Sequence, residues 1–205
     1  EWSMRAVLPV TEVKVPFKLD LEEMDNISKG ADDADLEPVA DAAKKLAMFE
    51  ETAVYFGFDK GCIRGIASFG ANSAAKLPKA AEGYASAVES AVVGIERNGI
   101  GGPYALVLGT GPYQTVAAGD SRGYPLRKRI EEMVRGGIYW SPAVQDGLLV
   151  SLRGGDYEMT VGQDAAVGYQ GVSGSSVELF LTESFTFRVL EERAAVVLKA
   201  QGGRK

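Results

Sequence analysis

Histidine is absent from this sequence of 205 residues, and cysteine occurs once, at Cys62. The lack of histidine excludes Ser-His-Asp and Cys-His nucleophile pairs and removes the usual general base near neutral pH. One cysteine without histidine also excludes the common zinc ligand sets and an internal disulfide. The sequence therefore predicts no catalytic residue and no metal centre, and only all-carboxylate sites for hard cations remain to be weighed.

Excess positive charge and long apolar runs are lacking as well. The formal net charge is -6 and the pI is about 4.9, which argues against binding to a phosphate backbone. No apolar run approaches the roughly 20 residues of a membrane span, and the start of the sequence does not look like a signal peptide. We therefore expect a cytoplasmic protein that binds neither nucleic acid nor membrane.

The first residues alternate in the manner of a strand. Over residues 4–19, Val13, Val15 and Phe17 fall on one face and polar residues fall on the other, while Pro9 and Pro16 mark an edge strand. A single strand of this length has backbone groups that need a partner. That partner is either an upstream strand or a strand of a neighbouring subunit, so the pattern points towards self-association.

The remaining sequence indicates helices first and strands later. Helical spacing predicts a long helix over residues 36–58 with Asp35 as its N-cap. It also predicts a helix over 84–95, a buried strand at 104–108, and a helix that starts at Pro125 and ends before Gly136. Short strands rich in β-branched residues follow, at residues 138–140, 148–152, 157–161, 167–169, 177–181, 185–189 and 194–198. This order is typical of an α+β fold.

Two segments resemble ligand sites but are better explained by local structure. The run Gly109-Thr-Gly-Pro-Tyr113 follows a strand as phosphate loops do, yet Pro112 offers no N-H and the rest of the motif is missing, so a plain strand-to-helix turn is preferred. The carboxylates Asp32, Asp33, Asp35 and Glu37 do not have EF-hand spacing. Acidic residues before a helix are expected from its dipole alone.

Three segments in order resemble one protein family. They are Arg153-Gly-Gly-Asp-Tyr-Glu-Met-Thr-Val-Gly-Gln-Asp-Ala-Ala-Val-Gly-Tyr169 with the strand region 177–187, Gly99-Ile-Gly-Gly-Pro-Tyr104, and Gly123-Tyr-Pro-Leu-Arg-Lys-Arg129 with Arg135-Gly-Gly137. Together they resemble the encapsulins, the linocin/bacteriocin-type shell proteins of bacterial and archaeal nanocompartments. The resemblance runs from about residue 2 to residue 198.

The resemblance implies the Hong Kong 97-type major capsid fold of tailed phages. Residues 1–20 would be the second arm of an extended loop, and residues 21–65 the peripheral lobe with its spine helix. Residues 66–153 would form the axial lobe, and residues 154–200 would return to the peripheral lobe, with a possible final strand in the axial lobe. Residues 201–205 would be a tail.

It also implies a function, namely a shell subunit that assembles with copies of itself into an icosahedral cage, encloses a cargo enzyme and admits small molecules through pores. The cargo would be a peroxidase or a ferritin-like protein with a targeting peptide, which connects the shell to oxidative stress or iron storage. The residues implied for cargo docking are Asp164, Val167 and Tyr169. Those implied for a fivefold pore are Gly119, Asp120, Ser121, Arg122, Gly123 and Tyr124.

Other expectations concern a cofactor and the start of the sequence. Trp2 matches a tryptophan that stacks on flavin in some encapsulins, although packing against a neighbouring loop is the preferred interpretation, and no cofactor is expected to be required. The family's N-terminal helix and first loop arm are not found in this sequence, which leaves cargo capture open. Two alternatives are a phage or prophage capsid subunit and a small flavin- or nucleotide-dependent enzyme.

Overall fold

The computed structural model describes residue 3 and residues 7–70, 75–121 and 123–200. The helices are α1 (Leu21–Ser28), α2 (Glu37–Phe56), α3 (Ile66–Gly70), α4 (Tyr84–Arg97), α5 (Thr110–Ala118) and α6 (Leu126–Val134). The strands are β1 (Thr11–Asp20), β2 (Ala75–Leu77), β3 (Tyr104–Leu108), β4 (Asp120–Ser121), β5 (Tyr124–Pro125), β6 (Arg135–Trp140), β7 (Gly147–Ser151), β8 (Tyr157–Ser173), β9 (Ser176–Val189) and β10 (Ala195–Ala200).

The chain packs into two compact units. The first consists of residues 1–50 and 159–186, and the second of residues 51–158 and 187–205. The lobe limits expected from the sequence stay a prediction.

The first unit is built on a three-stranded sheet in the order β1-β9-β8. β1 runs antiparallel to β9, with Val15 opposite Leu181. The expectation that its partner is an upstream strand or a strand of a neighbouring subunit was therefore wrong, because a strand from later in the same chain pairs with it. One face of these two strands packs against α2, and the shared core contains Phe17, Leu19, Ala42, Leu46 and Leu181. Because strand residues alternate between faces, the odd-numbered residues of β1 and β9 are the ones that meet the helix.

The long helix of the sequence analysis is confirmed as α2. The carboxylate of Asp35 accepts a hydrogen bond from the backbone N-H of Glu37 at 2.9 Å, so Asp35 does cap the start of the helix. The predicted first strand begins later than expected, at Thr11, and residues 7–10 form no strand. The earlier part of that prediction falls on residues outside the described ranges.

The second unit contains a five-stranded sheet in the order β2-β10-β7-β3-β6. β3 lies inside this sheet and is buried along its whole length, as its apolar sequence predicted. The helices α4, α5 and α6 contribute Val88, Val116 and Ile130 to the core of this unit, which also contains Leu106 and Leu198.

The two long strands β8 and β9 differ from the sequence prediction, which divided each of them into two short strands. Gly162 and the polar residues 182–184 look like turn signals, but they continue the strands. A Cβ on Gly162 would lie 2.8 Å from the hydroxyl oxygen of Ser184. The glycine therefore marks a close approach of two strands and not a turn.

Among the helices in the described ranges, none has both the length and the apolarity that a membrane crossing requires.

Candidate cargo-docking and pore surfaces

β8 forms one edge of the first unit's sheet, and one of its faces is uncovered. The side chains on this face are apolar at Met159, Val161, Val167 and Tyr169, and we call these four residues the β8 strip. Val167 is 62% exposed and Tyr169 is 65% exposed. The β8 strip continues the apolar sheet face that α2 covers over β1 and β9.

Two glycines establish which residues of β8 share a face. A Cβ on Gly168 would lie 2.2 Å from a ring carbon of Phe180, and one on Gly162 would meet Ser184. Even-numbered residues of β8 therefore lie on the side opposite to Val167. The structure brings the predicted docking residues Val167 and Tyr169 together on one face.

Asp164, the third predicted docking residue, lies across the strand from the other two. Its carboxylate accepts a hydrogen bond from the backbone N-H of Ala165 at 2.8 Å. Ala165 belongs to the same face as Val167, between Val161 and Val167, and is exposed. Ala165 is therefore a member of the apolar face with little side chain of its own.

The opposite face of the same sheet is charged. The ammonium group of Lys14 lies 5.2 Å from the ring centroid of Phe180 and 3.2 Å from a carboxylate oxygen of Glu12. Lys18 and Glu178 form an ion pair of 2.7 Å. The two faces thus differ in chemistry, and the β8 strip lies on the apolar one.

A buried acid under α2 is a feature that the sequence analysis missed. Glu183 of β9 carries a carboxyl group and yet is only 5% exposed. Burial, followed by the negative charge and hydrogen bond of Glu50 and the charge of Asp164, raises the pKa of Glu183 to about 7. The sequence signal that could have pointed to it is the spacing of Glu183, which lies two residues from both Leu181 and Phe185. In a strand this spacing places all three side chains on the same face.

The predicted pore loop is a small hairpin in the second unit. β4 pairs with β5, and the backbone N-H of Gly123 donates a hydrogen bond to the carboxylate of Asp120 at 2.6 Å. The hydroxyl of Tyr124 donates to Glu132 at 2.9 Å, which ties the hairpin to α6. Gly119 directly follows α5, and Ser121 is part of β4.

Two predicted site residues, Trp2 and Arg122, lie outside the described residues. Within the described ranges, no group of three or more Cys, Asp or Glu side chains is arranged to hold a metal ion.

A pair of exposed aromatic residues at the end of β6 was also missed. Tyr139 is 54% exposed and Trp140 is 52% exposed. The indole N-H of Trp140 donates a hydrogen bond to the hydroxyl of Thr110 at 3.1 Å, so the ring is fixed although it faces solvent. Large exposed aromatic rings of this kind are typical of protein interfaces.

Comparison with known proteins identifies the family. The model of the family described as "Encapsulating protein for peroxidase" matches residues 1–186. This chain belongs to the encapsulin family. A similar relative is the type 1 encapsulin shell protein of Rhodospirillum rubrum, with 41% identity over 196 residues that cover 95% of this chain and 70% of the relative.

Solved structures of the same fold include a virus and a virus-like particle. The virus-like particle from Pyrococcus furiosus aligns with a TM-score of 0.71 and 19% identity over 93% of this chain and 77% of that chain. The capsid of Myoviridae phage XM1 aligns with a TM-score of 0.62 and 12% identity over 92% of this chain and 72% of that chain. The expected α+β capsid fold is thereby confirmed, and so is the resemblance to the encapsulins.

Proposed function

We propose that this encapsulin is a self-assembling shell subunit that encloses a cargo enzyme in the cytoplasm and carries no catalytic site of its own. The observation that supports cargo enclosure best is the β8 strip. Its apolar side chains stand in a row on an open sheet edge, where an extended peptide can bury alternate side chains and also pair with the backbone of β8.

The proposed ligand is a mainly apolar targeting segment of a peroxidase or a ferritin-like protein. Burying Val167 and Tyr169 removes the two most exposed apolar side chains of the strip from water, and each buried methylene group contributes about 0.8 kcal/mol. Asp164 lies on the other face, so we propose that it acts on docking only through the backbone of Ala165.

Self-assembly is supported by a second group of exposed apolar side chains. Tyr139 and Trp140 lie on an edge strand of the second unit's sheet, and a subunit that remained alone would leave both rings in water. Obligate interfaces between subunits commonly bury about 2,000 Å² or more, and closed symmetry then completes a shell.

The experiment for this function measures assembly and docking separately. Purified protein should elute as a megadalton particle and form cages visible by electron microscopy. A fluorescent protein that carries the C-terminal targeting tail of a peroxidase or ferritin-like cargo should co-purify with these cages.

Matched variants then locate the docking surface. Tyr169→Ala should weaken binding of the tail, whereas Gln170→Ala, the next residue on the opposite face of β8, should leave it unchanged. If both variants bind like the unmodified protein while cages form normally, the β8 strip is not the docking surface. A monodisperse monomer at micromolar concentration would contradict the assembly itself.

We further propose that the hairpin of residues 119–124 lines an opening of the shell. A separate proposal is that any flavin bound by the shell stacks on Trp2. Asp120 and Arg122 supply charges of both signs, so strong selectivity for ions of one sign is not expected. Flavin binding is tested by the visible absorbance of purified cages after incubation with excess flavin. Colourless wild-type cages would exclude it, and colour that Trp2→Ala abolishes would establish it.

A further inference from the structure

The turn that follows α4 contains the dipeptide Asn98-Gly99, and this is the one place in the sequence where glycine follows asparagine. Both residues are exposed, and Gly99 has a φ of +75°. Asparagine loses its side-chain amide most readily before glycine, because glycine has no side chain to hinder attack by its own backbone nitrogen. The turn therefore presents a reactive amide directly beside an unhindered nucleophile.

Two backbone hydrogen bonds close this end of α4. The N-H of Gly99 donates to the carbonyl oxygen of Glu96 at 2.8 Å, and the N-H of Ile100 donates to that of Ile95 at 3.4 Å. This pattern, with glycine in the left-handed conformation, is a Schellman motif. Ile95 and Ile100 both belong to the core of the second unit. The turn is therefore fixed by packing as well as by hydrogen bonds.

The side-chain amide of Asn98 is engaged as well. Its Nδ2 donates a hydrogen bond to the carbonyl oxygen of Gly94, one turn back along α4, at 3.2 Å. The ψ angle of Asn98 is 6°, whereas the cyclic imide through which asparagine deamidates requires a different rotation about the same Cα–C bond. Both reacting groups are thus held apart in the closed turn, and reaction requires that the turn open first.

The reaction itself needs only water. The backbone nitrogen of Gly99 forms a bond to Cγ of Asn98, the bond from Cγ to Nδ2 breaks, and the amide leaves as ammonia with the proton that the backbone nitrogen gives up. Water then adds to either carbonyl carbon of the imide and opens the ring. The products are aspartate, with the original backbone, and isoaspartate, in which the backbone runs through the former side chain.

We propose that Asn98 is a site of spontaneous deamidation whose rate is set by transient opening of the end of α4. The hydrogen bonds from Gly99 and from the amide of Asn98 must both break before the nitrogen can reach Cγ, and this requirement lowers the reactive population by on the order of tenfold. The site lies within the second unit, and its reaction requires neither cargo nor assembly.

Both products weaken the turn. Aspartate lacks the N-H group that Asn98 donates to Gly94, and its negative charge lies at the C-terminal end of a helix, where the helix dipole disfavours it. Isoaspartate in addition lengthens the backbone before Gly99 by one carbon atom, which displaces both N-H groups of the Schellman motif. Deamidation therefore loosens the end of α4 as the protein ages.

Peptide mapping by mass spectrometry tests the site. Purified protein is kept in neutral buffer, folded in one sample and unfolded by guanidinium chloride in another, and asparagine, aspartate and isoaspartate at position 98 are quantified over time. Deamidation is expected in both samples and on the order of tenfold more slowly in the folded one. Asn26, which precedes the branched Ile27, is an internal control and should keep its amide in both.

Two outcomes of this measurement would contradict the proposal. Equal rates in the folded and unfolded samples would show that the closed turn gives no protection. An intact Asn98 in the folded sample, once the unfolded sample has reacted completely, would show that the folded protein has no deamidation site there.

A buried side chain of the turn allows its opening to be varied without altering the reacting pair. Ile100→Val removes one methyl group from the core contact and should speed deamidation of the folded protein about two- to tenfold, with no change in the unfolded sample. Ile63→Val makes the same substitution at another fully buried isoleucine and should keep the wild-type rate. The same folded rate in all three proteins would show that opening of the turn does not control the reaction.

Hydrogen-deuterium exchange measures the consequence of the modification. Peptides from the end of α4 should exchange faster in aged than in fresh wild-type protein. Asn98→Gln keeps an amide that cyclises far more slowly, so this variant should exchange alike when fresh and aged. Unchanged exchange in aged wild-type protein that is modified at Asn98 would contradict the loosening of the helix end.

Discussion

Asp156 accepts three hydrogen bonds of 2.7 to 3.1 Å from the guanidinium group of Arg153, although only 2% of Asp156 is exposed. The two glycines between them have φ values of +91° and +80°, a conformation that favours glycine. The backbone oxygen of Asp156 also accepts hydrogen bonds from the N-H groups of Leu190 and Glu191. The sequence Arg-Gly-Gly-Asp that resembles the encapsulins is thus a turn whose two ends are joined by a charge-assisted contact.

We expect Asp156→Asn to reduce the free energy of unfolding by about 1–3 kcal/mol, because one buried acceptor is replaced by a donor that Arg153 cannot satisfy. Thermal or urea unfolding of the purified protein measures this change. The control is Asp41→Asn, which affects an exposed ion pair with Lys44 and should change stability by no more than about 1 kcal/mol. Equal effects of the two substitutions would contradict the structural role of the turn.

The glycine that opens α5 is required by packing. A Cβ on Gly109 would lie 2.3 Å from the carbonyl oxygens of both Val144 and Gln145, whereas a Cβ on Gly111 would meet nothing within 4 Å. Gly109→Ala should therefore cost at least about 2 kcal/mol, while Gly111→Ala should be neutral or stabilising by up to about 1 kcal/mol. Unfolding midpoints of the two variants decide the point. If Gly109→Ala is as stable as the wild type, this packing argument is wrong.

If the β8 strip binds the targeting peptide, a larger apolar side chain on it should increase the affinity for that peptide. Ala165→Leu adds three carbon atoms to the exposed apolar face, and partial burial under a bound peptide should improve its Kd about tenfold, since each buried methylene group contributes about 0.8 kcal/mol. Binding of a fluorescent targeting peptide to purified cages gives the Kd. Ala166→Leu makes the same substitution one residue further, on the opposite face, and should leave the Kd unchanged. The same Kd for all three proteins would move the docking site elsewhere.

The pore hairpin predicts a difference between two substitutions of Asp120. Asp120→Asn retains an oxygen that can accept from the N-H of Gly123, whereas Asp120→Ala removes the acceptor and loosens the hairpin. We expect entry of a chromogenic substrate to an enclosed peroxidase to change in Asp120→Ala and to stay near the wild-type rate in Asp120→Asn. Equal changes in both variants would indicate that the charge of Asp120, and not the shape it maintains, controls entry.

Local sequence was sufficient to predict the elements that bury one regular face. The helix α2 follows from its apolar spacing and from Asp35, and β3 follows from five consecutive apolar residues that are all buried. The pairing of α2 with the sheet could not be derived in the same way, because it depends on residues that are distant in the sequence.

The polar residues Thr182, Glu183 and Ser184 show this limit most clearly. Their composition indicates a turn, yet they lie within β9 and Glu183 is buried. The residue that acts on it most strongly, Glu50, lies on α2, an element that precedes it by most of the chain. Similarly, the assignment of Asp164 and Val167 to different faces of β8 depended on strand contacts at Gly162 and Gly168, which no local pattern reveals.

The position of β10 in the second unit's sheet has a consequence for the order of events during synthesis. Within the described residues, β2 pairs with β10 alone, and β10 is translated more than a hundred residues later. At the usual rate of translation, β2 waits on the order of ten seconds for its partner. A nascent subunit therefore completes this sheet only after nearly all of the described residues have been translated, and until then β2 lacks the strand with which it pairs in the folded protein.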